Sequence, residues 1–415
     1  MKPMAILSVD GHVKASRAGY RDYIEKAYLD DFDEWVKAEE AAGMPDSGNL
    51  NHAFGLDSQW DSDKRLTELE REGVVGEVLF PNGLPFTSFR LEGPASPRKQ
   101  ALLREGRAAY NRWLADFCAA APGRRAGQAV ISFDDIDAAV ADIHAAKARG
   151  LGGVMMPALE PGGVFFFDPQ LDPVWAACQE TGLPISQHGG AGVPRYQPAG
   201  FASLLTLAME HTFFSGRSLW QMMLGGVFDR FPKLQVVFVE TEADWLAPAM
   251  KRLEHFSGMD NSWLGFARMT DTGATMKRSP KEYWASNCHA GLSPFTSSMA
   301  PIADLARTDF GGSEFFITAD KAMFGVDYPH FESILPRMKP TLAELLSHPA
   351  IDEAMARKVL YENTARVYGF DLDALAPHME RVGFTPAAII ASAAAGSQDG
   401  HAADRHDVKA AALTS

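Results

Sequence analysis

A carboxylate and an imidazole two residues apart close the first apolar run of the chain, where Ala5-Ile6-Leu7-Ser8-Val9 leads into Asp10-Gly11-His12. Alternate residues of a strand point to one side, so Asp10 and His12 would project together from a strand end, as the first two ligands of a divalent metal do. The pattern recurs. Leu183-Pro184-Ile185-Ser186-Gln187 runs into His188, Val236-Val237-Phe238-Val239 into Glu240, and Met323-Phe324-Gly325-Val326 into Asp327, with His330 three residues beyond. Each has an ordinary alternative: an Asp-x-His in a turn, His188 bonded to backbone, Glu240 paired with a cation, Asp327 capping a helix, His330 in the scaffold. Four such strand ends, far apart in sequence, point instead to a shared metal centre.

A zinc or similar ion held by Asp10, His12, His188 and Asp327 would bring the pKa of a bound water toward ~7, making hydroxide available at neutral pH. Asp327 or Glu240 would take the proton, and His289 or His330 would polarise the electrophile or protonate the leaving group. Arg195 and the run His211-Thr212-Phe213-Phe214-Ser215-Gly216-Arg217 supply candidates to bind a substrate, Arg195 and Arg217 by bidentate pairing with its carboxylate. Trp60, Phe80, Phe86 and Trp245 are candidates for an apolar pocket, with core packing as the alternative role. A mixed nitrogen and oxygen ligand set suits zinc, manganese and iron alike, and zinc is placed first.

The elements that must position these residues are short apolar runs alternating with helical patterns. The runs predict strands at 4–9, 76–80, 127–131, 152–156, 183–187, 235–239, 282–287 and 322–326. Between them, stretches such as Asp134 to Ala148 and Leu171 to Glu180 carry helical spacing with acidic residues at their starts. Strand and helix in alternation give a distorted (β/α)8 TIM barrel, with a doubly wound sheet as the runner-up. Every candidate ligand then sits at the carboxyl end of its strand, the face on which such barrels keep their chemistry. One domain spans 1–385, residues 13–75 form an insertion expected to act as a lid, and residues 386–415 read as a mobile tail.

With 415 residues and 46% apolar content the chain can bury a large core. A net charge of −14 and a pI near 5.3 argue against nucleic acid, which would demand a basic patch. Small-molecule substrates fit better. The three cysteines, Cys118, Cys178 and Cys288, have no Cys-x-x-Cys spacing, so neither a disulfide framework nor a structural zinc cluster is expected. No run of 18 apolar residues appears, which leads to the expectation of a soluble, cytoplasmic protein without a membrane partner. An exposed aromatic insertion is also compatible with a homo-oligomer.

Taken together, Val9-Asp10-Gly11-His12, His188, Phe231-Pro232-Lys233-Leu234 before the run to Glu240, Phe324-Gly325-Val326-Asp327-Tyr328-Pro329-His330 and Glu362-Asn363-Thr364-Ala365-Arg366-Val367-Tyr368-Gly369 are similar to a known group. They resemble, in order from about residue 4 to 370, the branch of the amidohydrolase superfamily that includes aminocarboxymuconate-semialdehyde decarboxylase and resorcylate decarboxylase. The resemblance implies a distorted (β/α)8 barrel with a divalent metal, Asp10 and His12 as first-strand ligands, His188 as the fifth-strand ligand and Asp327 as the eighth-strand carboxylate. Two positions depart from it. Lys14 stands where decarboxylases with a His-x-His pair carry their second histidine, and Glu240 stands where they carry a proton-handling histidine. A carboxylate beside a divalent cation should stay ionised, which makes Glu240 a better ligand or base than acid. Metal-dependent hydrolysis of an ester, thioester, lactone or amide therefore ranks first. Non-oxidative decarboxylation of an aromatic or unsaturated acid ranks second, and a non-catalytic binding barrel third.

Overall fold

Parallel strands follow one another around a barrel in the computed structural model, which describes residues 3–42, 57–87, 96–157, 164–189, 200–241, 245–257, 276–293, 318–330, 333, 335, 338–349 and 351–398. In chain order they are β1 (Ile6–Ser8), β2 (His12–Val13), β3 (Val74–Pro81), β4 (Arg125–Val130), β5 (Gly153–Met156), β6 (Ile185–His188), β7 (Val236–Val239), β8 (Cys288–Leu292) and β9 (Ala322–Phe324). The sheet order is β1-β3-β4-β5-β6-β7-β8-β9, and β2 continues β1 to pair with the end of β3. The last strand meets the first where Val9 N donates to Phe324 O at 2.9 Å and Asp327 N to Asp10 O at 3.1 Å. The architecture is a nearly closed eight-stranded (β/α)8 barrel.

Strands covered on both faces read as continuous apolar runs rather than alternating ones, and β1, β6 and β7 are buried along their whole length. Helices between strands begin where the sequence offers an acceptor for orphan backbone N–H groups. Asp135, for example, accepts from Ala138 N at 3.0 Å and starts the helix Ile136–Ala148. No helix among the described residues is long and apolar enough to cross a membrane.

Two expectations are corrected. Residues 282–287 are not the seventh strand but belong to a helix, Pro280–Asn287. Ser279 Oγ accepts from Glu282 N at 3.4 Å while Glu282 accepts from Ser279 N at 2.7 Å, and Pro280 fits the first turn, so this segment starts a helix by reciprocal capping. The strand follows at Cys288–Leu292, where Ala290 and Gly291 weaken the apolar signal. The supposed tail is likewise ordered at its start: Pro386–Gln398 is a helix, with Ile389 buried, that packs on the helix Met338–Ser347. Its alanine-rich composition is helix-forming once a surface is available. Residues 399–415 lie outside the described residues.

The described parts of the stretch 13–75 carry structure of their own, including the helices Leu29–Ala41 and Ser62–Arg71. The part from Tyr20 to Trp35 lies by the carboxyl end of β3, whereas the helix Ser62–Arg71 leads back to the start of that strand, where Glu70 bonds Arg124. Tyr20 Oη donates to Gly83 O at 3.2 Å, and Phe32 and Trp35 pack their rings against Phe86 at 5.9 and 5.6 Å.

Candidate metal centre

Six buried side chains from five strand ends meet at the carboxyl mouth of the barrel. Asp10 follows β1, His12 opens β2, His188 ends β6, Glu240 follows β7, and Asp327 and His330 follow β9. Ser8 sets the turn after β1: its Oγ donates to Asp10 O at 2.5 Å and accepts from Val326 N at 3.0 Å, tying β1 to the segment after β9. Ser293, just past β8, donates to Asp10 Oδ2 at 2.5 Å and leaves Oδ1 facing the histidines.

Around His188 Nε2 the neighbours are His12 Nε2 at 3.1 Å, Asp10 Oδ1 at 3.4 Å and Glu240 Oε2 at 3.2 Å. A tetrahedral ion with bonds of about 2.0–2.1 Å spaces its ligand atoms by about 3.3 Å, which is the spacing seen here. His188 is also oriented as a ligand. Its Nδ1 lies 2.7 Å from Gly189 O, so that nitrogen donates to the carbonyl and Nε2 presents its lone pair. Gly189 is needed at that turn, because a Cβ would lie 2.1 Å from Glu240 O.

A second group shares His12. His12 Nδ1 lies 3.1 Å from Asp327 Oδ1, and His330 Nδ1 lies 2.9 Å from the same oxygen, with the two imidazoles stacked at 3.7 Å between centroids. Behind His330, Asn82 Oδ1 is 3.1 Å from Nε2, and Asn82 Nδ2 donates to Gln59 Oε1 at 2.6 Å.

The residues fit a divalent cation. His12 Nδ1 and both Asp327 oxygens are buried and make no hydrogen bond among the described residues, although Nδ1 and Oδ1 are only 3.1 Å apart. Buried polar atoms that approach without bonding one another call for a further partner. Burial, with His330 alongside, pushes the pKa of His12 well below its usual value, so its ring is neutral and able to donate a lone pair. Asp10 and Asp327 are 0% and 1% exposed, and carboxylates so deep need compensating charge. Arg65, the buried guanidinium behind the site, is already committed to Glu77 through a bidentate pair at 2.7 and 2.7 Å. Both Glu240 and Asp327 hold left-handed backbone, φ 52° and 54°, a sparsely populated state for non-glycine residues that aims each carboxylate off its strand.

The amidohydrolase family profile matches residues 58–370, which includes every cluster member except Asp10 and His12. This chain belongs to the amidohydrolase family. Its barrel superposes on an amidohydrolase from Mycobacterium avium subsp. paratuberculosis K-10 with TM-score 0.63 and 19% identity, over 88% of this chain and 99% of the other. A 5-carboxyvanillate decarboxylase from Sphingomonas paucimobilis aligns with TM-score 0.60 and 18% identity over 89% and 100%, respectively. A 2,6-dihydroxybenzoate decarboxylase from Rhizobium aligns with TM-score 0.56 and 19% identity over 90% and 100%. These likenesses establish the fold.

The other residues singled out in the sequence of this amidohydrolase are placed as follows. His289 is not at the mouth: it sits at the start of β8, paired in register with Val237, and its Nε2 bonds Gln235 Oε1 at 3.0 Å. The register of β8 is the reason, since four residues at about 3.3 Å each separate it from Ser293, which takes the strand-end position instead. Burial, with Lys321 nearby, keeps His289 neutral in the barrel interior. His211 is buried and Arg217 half-buried on the helix Phe201–Leu224, and neither belongs to the two metal-type groups. Arg195 lies outside the described residues. Phe80 is fully buried with its ring 4.5 Å from His188, Phe86 belongs to the Phe32 and Trp35 cluster, Trp60 is half-buried, and Trp245 donates to Thr241 O at 2.7 Å.

Sequence reasoning missed Ser293, Asn82, Gln59 and the Arg65–Glu77 pair. Glu77 carried a signal, as a charged residue inside the apolar run Val74-Val75-Gly76-Glu77-Val78-Leu79-Phe80. Gln59, Asn82 and Arg65 carried none, because their partners come from distant segments.

Proposed function

We propose that this amidohydrolase is a metal-dependent carboxy-lyase that removes carbon dioxide from an aromatic or unsaturated carboxylic acid. The observation that carries the reading is the Asp327–His330 pair, 2.9 Å apart and set against His12 on the side away from His188. It puts a proton-handling imidazole beside a metal-type group, which is what protonation of a carbon atom requires. The shared barrel of the carboxyvanillate and dihydroxybenzoate decarboxylases supports it. So does a 5-carboxyvanillate decarboxylase from Novosphingobium aromaticivorans, a barrel of TM-score 0.61 and 17% identity whose structure contains manganese and a substituted nitrobenzoic acid.

Asp10, His12 and His188 would hold the cation, with Asp327 against the other nitrogen of His12 and Glu240 against His188. Manganese and zinc both suit this donor set, and manganese is put first on the strength of the related decarboxylase. Bound there, the cation would supply positive charge that orients an anionic substrate. Ser293 and the Gly189 carbonyl keep Asp10 and His188 aimed at it, and Phe80 makes that wall of the site apolar. His330 delivers a proton to the carbon that bears the carboxylate. The bond from that carbon to the carboxyl carbon then breaks, its electron pair returns to the unsaturated system, and carbon dioxide leaves with a hydrogen in its place. Asp327 sets a negative charge 2.9 Å from His330 Nδ1, and His330 takes up a proton again for the next cycle.

Hydrolysis remains as a second reading, and Glu240 favours it: a carboxylate 3.2 Å from His188 Nε2 is placed to act as a base toward water. It ranks lower than the sequence suggested because His330, next to Asp327, can supply the proton that Glu240 cannot. The test is to incubate metal-loaded protein with panels of aromatic and unsaturated acids and of esters, thioesters and lactones, following carbon dioxide and acid release separately. Carbon dioxide from at least one acid is expected. Acid release alone would overturn the proposal in favour of hydrolysis.

A further inference from the structure

We infer that the outer face of the helix Phe201–Leu224 is the contact surface of a two-fold symmetric dimer of this chain. The inference is independent of the reaction assigned to the barrel mouth. A surface helix normally buries its apolar stripe and exposes its polar one. This helix is reversed over much of its length. Between residues 211 and 218 it buries His211, Ser215, Gly216 and Ser218, whereas its exposed residues, among those described, are Ala202, Glu210 and the large apolar side chains Phe201, Leu205, Met209, Phe213 and Leu224. Phe201, Leu205, Met209 and Phe213 are 76, 49, 80 and 57% exposed, and their spacing of four residues lines them up along the helix. Phe213 reaches on to Trp220, with 5.8 Å between ring centroids, and past the end of the helix Phe167 packs at Gly225, where a Cβ would lie 2.0 Å from its own. Phe167 stacks on Phe165 at 5.2 Å, and the two are 38 and 47% exposed. At ~200 Å² for a fully exposed large apolar side chain, the four residues of the row and these two phenylalanines present about 700 Å². That exceeds the roughly 300–600 Å² of the largest patch on an ordinary monomer and approaches the ~800 Å² that each partner gives to a stable complex.

A second copy is the occupant that the row itself selects. A ridge of side chains four residues apart fits the groove beside the same ridge on an identical helix, the commonest way two helices pack in globular proteins. A two-fold axis through the middle of the row makes that contact self-complementary and closed. Charge fits the same arrangement. Glu210 and Arg217 lie along one flank of the row, seven residues and so about two turns apart, on either side of Phe213. In an antiparallel pair centred there, each Glu210 comes level with Arg217 of the partner subunit, and opposite charges meet at both ends of the contact. A chain of net charge −14 repels its own copies elsewhere on its surface, so a neutral, self-complementary face is where two of them can meet. A lipid surface fits less well, because Arg217 is the one Lys or Arg in the helix and the chain as a whole is acidic. The contact also braces the site. Gly216 of this helix packs on the ring of Trp245, where a Cβ would lie 2.8 Å away, and Trp245 donates to the carbonyl of Thr241, next to Glu240.

Sedimentation equilibrium of the full-length protein at micromolar concentration tests this. The wild type should sediment at twice the chain mass of 45.2 kDa. Met209→Glu and Phe213→Glu each put two charges into one interface, so each should raise the dimer dissociation constant by about 100-fold or more. Far-UV circular dichroism should not change, because both side chains are exposed. Glu210→Arg and Arg217→Glu should each weaken the dimer by about tenfold, and the double variant should recover most of the loss. Cross-linking gives a readout that needs no change of charge. Phe213→Cys, beside the axis, should form a disulfide-linked dimer on mild oxidation, whereas Phe201→Cys, at the end of the row, should not; Cys118, Cys178 and Cys288 are buried. A monomeric wild type, or a dimer untouched by Met209→Glu and Phe213→Glu, would overturn the inference. So would cross-linking through Phe201→Cys instead of Phe213→Cys, or a row that binds phosphatidylserine–phosphatidylcholine vesicles or a different protein in place of a second copy.

Discussion

Asp327 joins the two stacked histidines of the candidate site. Its Oδ1 faces both His12 and His330, it is 1% exposed, and its backbone is left-handed. Asp327→Asn keeps the size and removes the charge, so carbon dioxide release should fall by about 100-fold or more while the unfolding midpoint moves little. Turnover within about tenfold of wild type would remove Asp327 from the acid–base pair. Residues of this kind were legible in the sequence because an ionisable group at the end of an apolar run is conspicuous. His289 shows the limit of that signal. Its residue type was right, but its height in the barrel depends on where β8 begins, and a weakly apolar Cys-His-Ala-Gly-Leu strand after a well-capped helix does not announce its start.

At the scale of elements, the support beneath the site is the helix Ser62–Arg71. Arg65 sends its guanidinium, 0% exposed, to Glu77 on β3 and on to His12 O and Tyr328 O at 3.0 and 3.2 Å, joining β3 to two segments that carry cluster residues. Arg65→Met leaves Glu77 buried without its cation, and breaking such a pair typically costs about 3–5 kcal/mol. Denaturant unfolding should show a loss of that size, and one below about 1 kcal/mol would contradict the structural role given to the pair. The helix was read only as part of a long irregular insertion, since its exposed face is strongly polar and nothing local marks one arginine as buried. Seven strands were legible within a few residues, because strands covered on both sides must be apolar throughout. The eighth was not, for the reason given by Ser279, Pro280 and Glu282.

At the scale of the molecule, the chain after the barrel returns to its amino-end side. Met4 N donates to Phe384 O at 2.8 Å, and Glu70 joins both Arg124 and Arg381, the latter from the helix Leu372–Val382. Arg381 first, with Arg124, holds the Glu70 carboxyl down to about 2, against an ordinary value near 4.5. A depressed carboxyl stabilises the fold fully above its unfolded value and loses that contribution as pH falls from there through about 2. The stability difference between wild type and Glu70→Gln should thus be present at neutral pH and shrink below about pH 4. A difference that grows on acidification would contradict this link. The closing helices were harder to foresee than the barrel, because an alanine-rich segment acquires its helix from the surface it meets.

Metal content of the wild type and His188→Ala, each purified without chelator and loaded with manganese or zinc, tests the strand-end cluster most directly. His188 Nε2 has His12, Asp10 and Glu240 within 3.4 Å, so its loss should take bound metal from about one ion per chain to well below half while the barrel still folds. Equal metal content in the two proteins, or none in the wild type, would contradict a metal centre at this mouth.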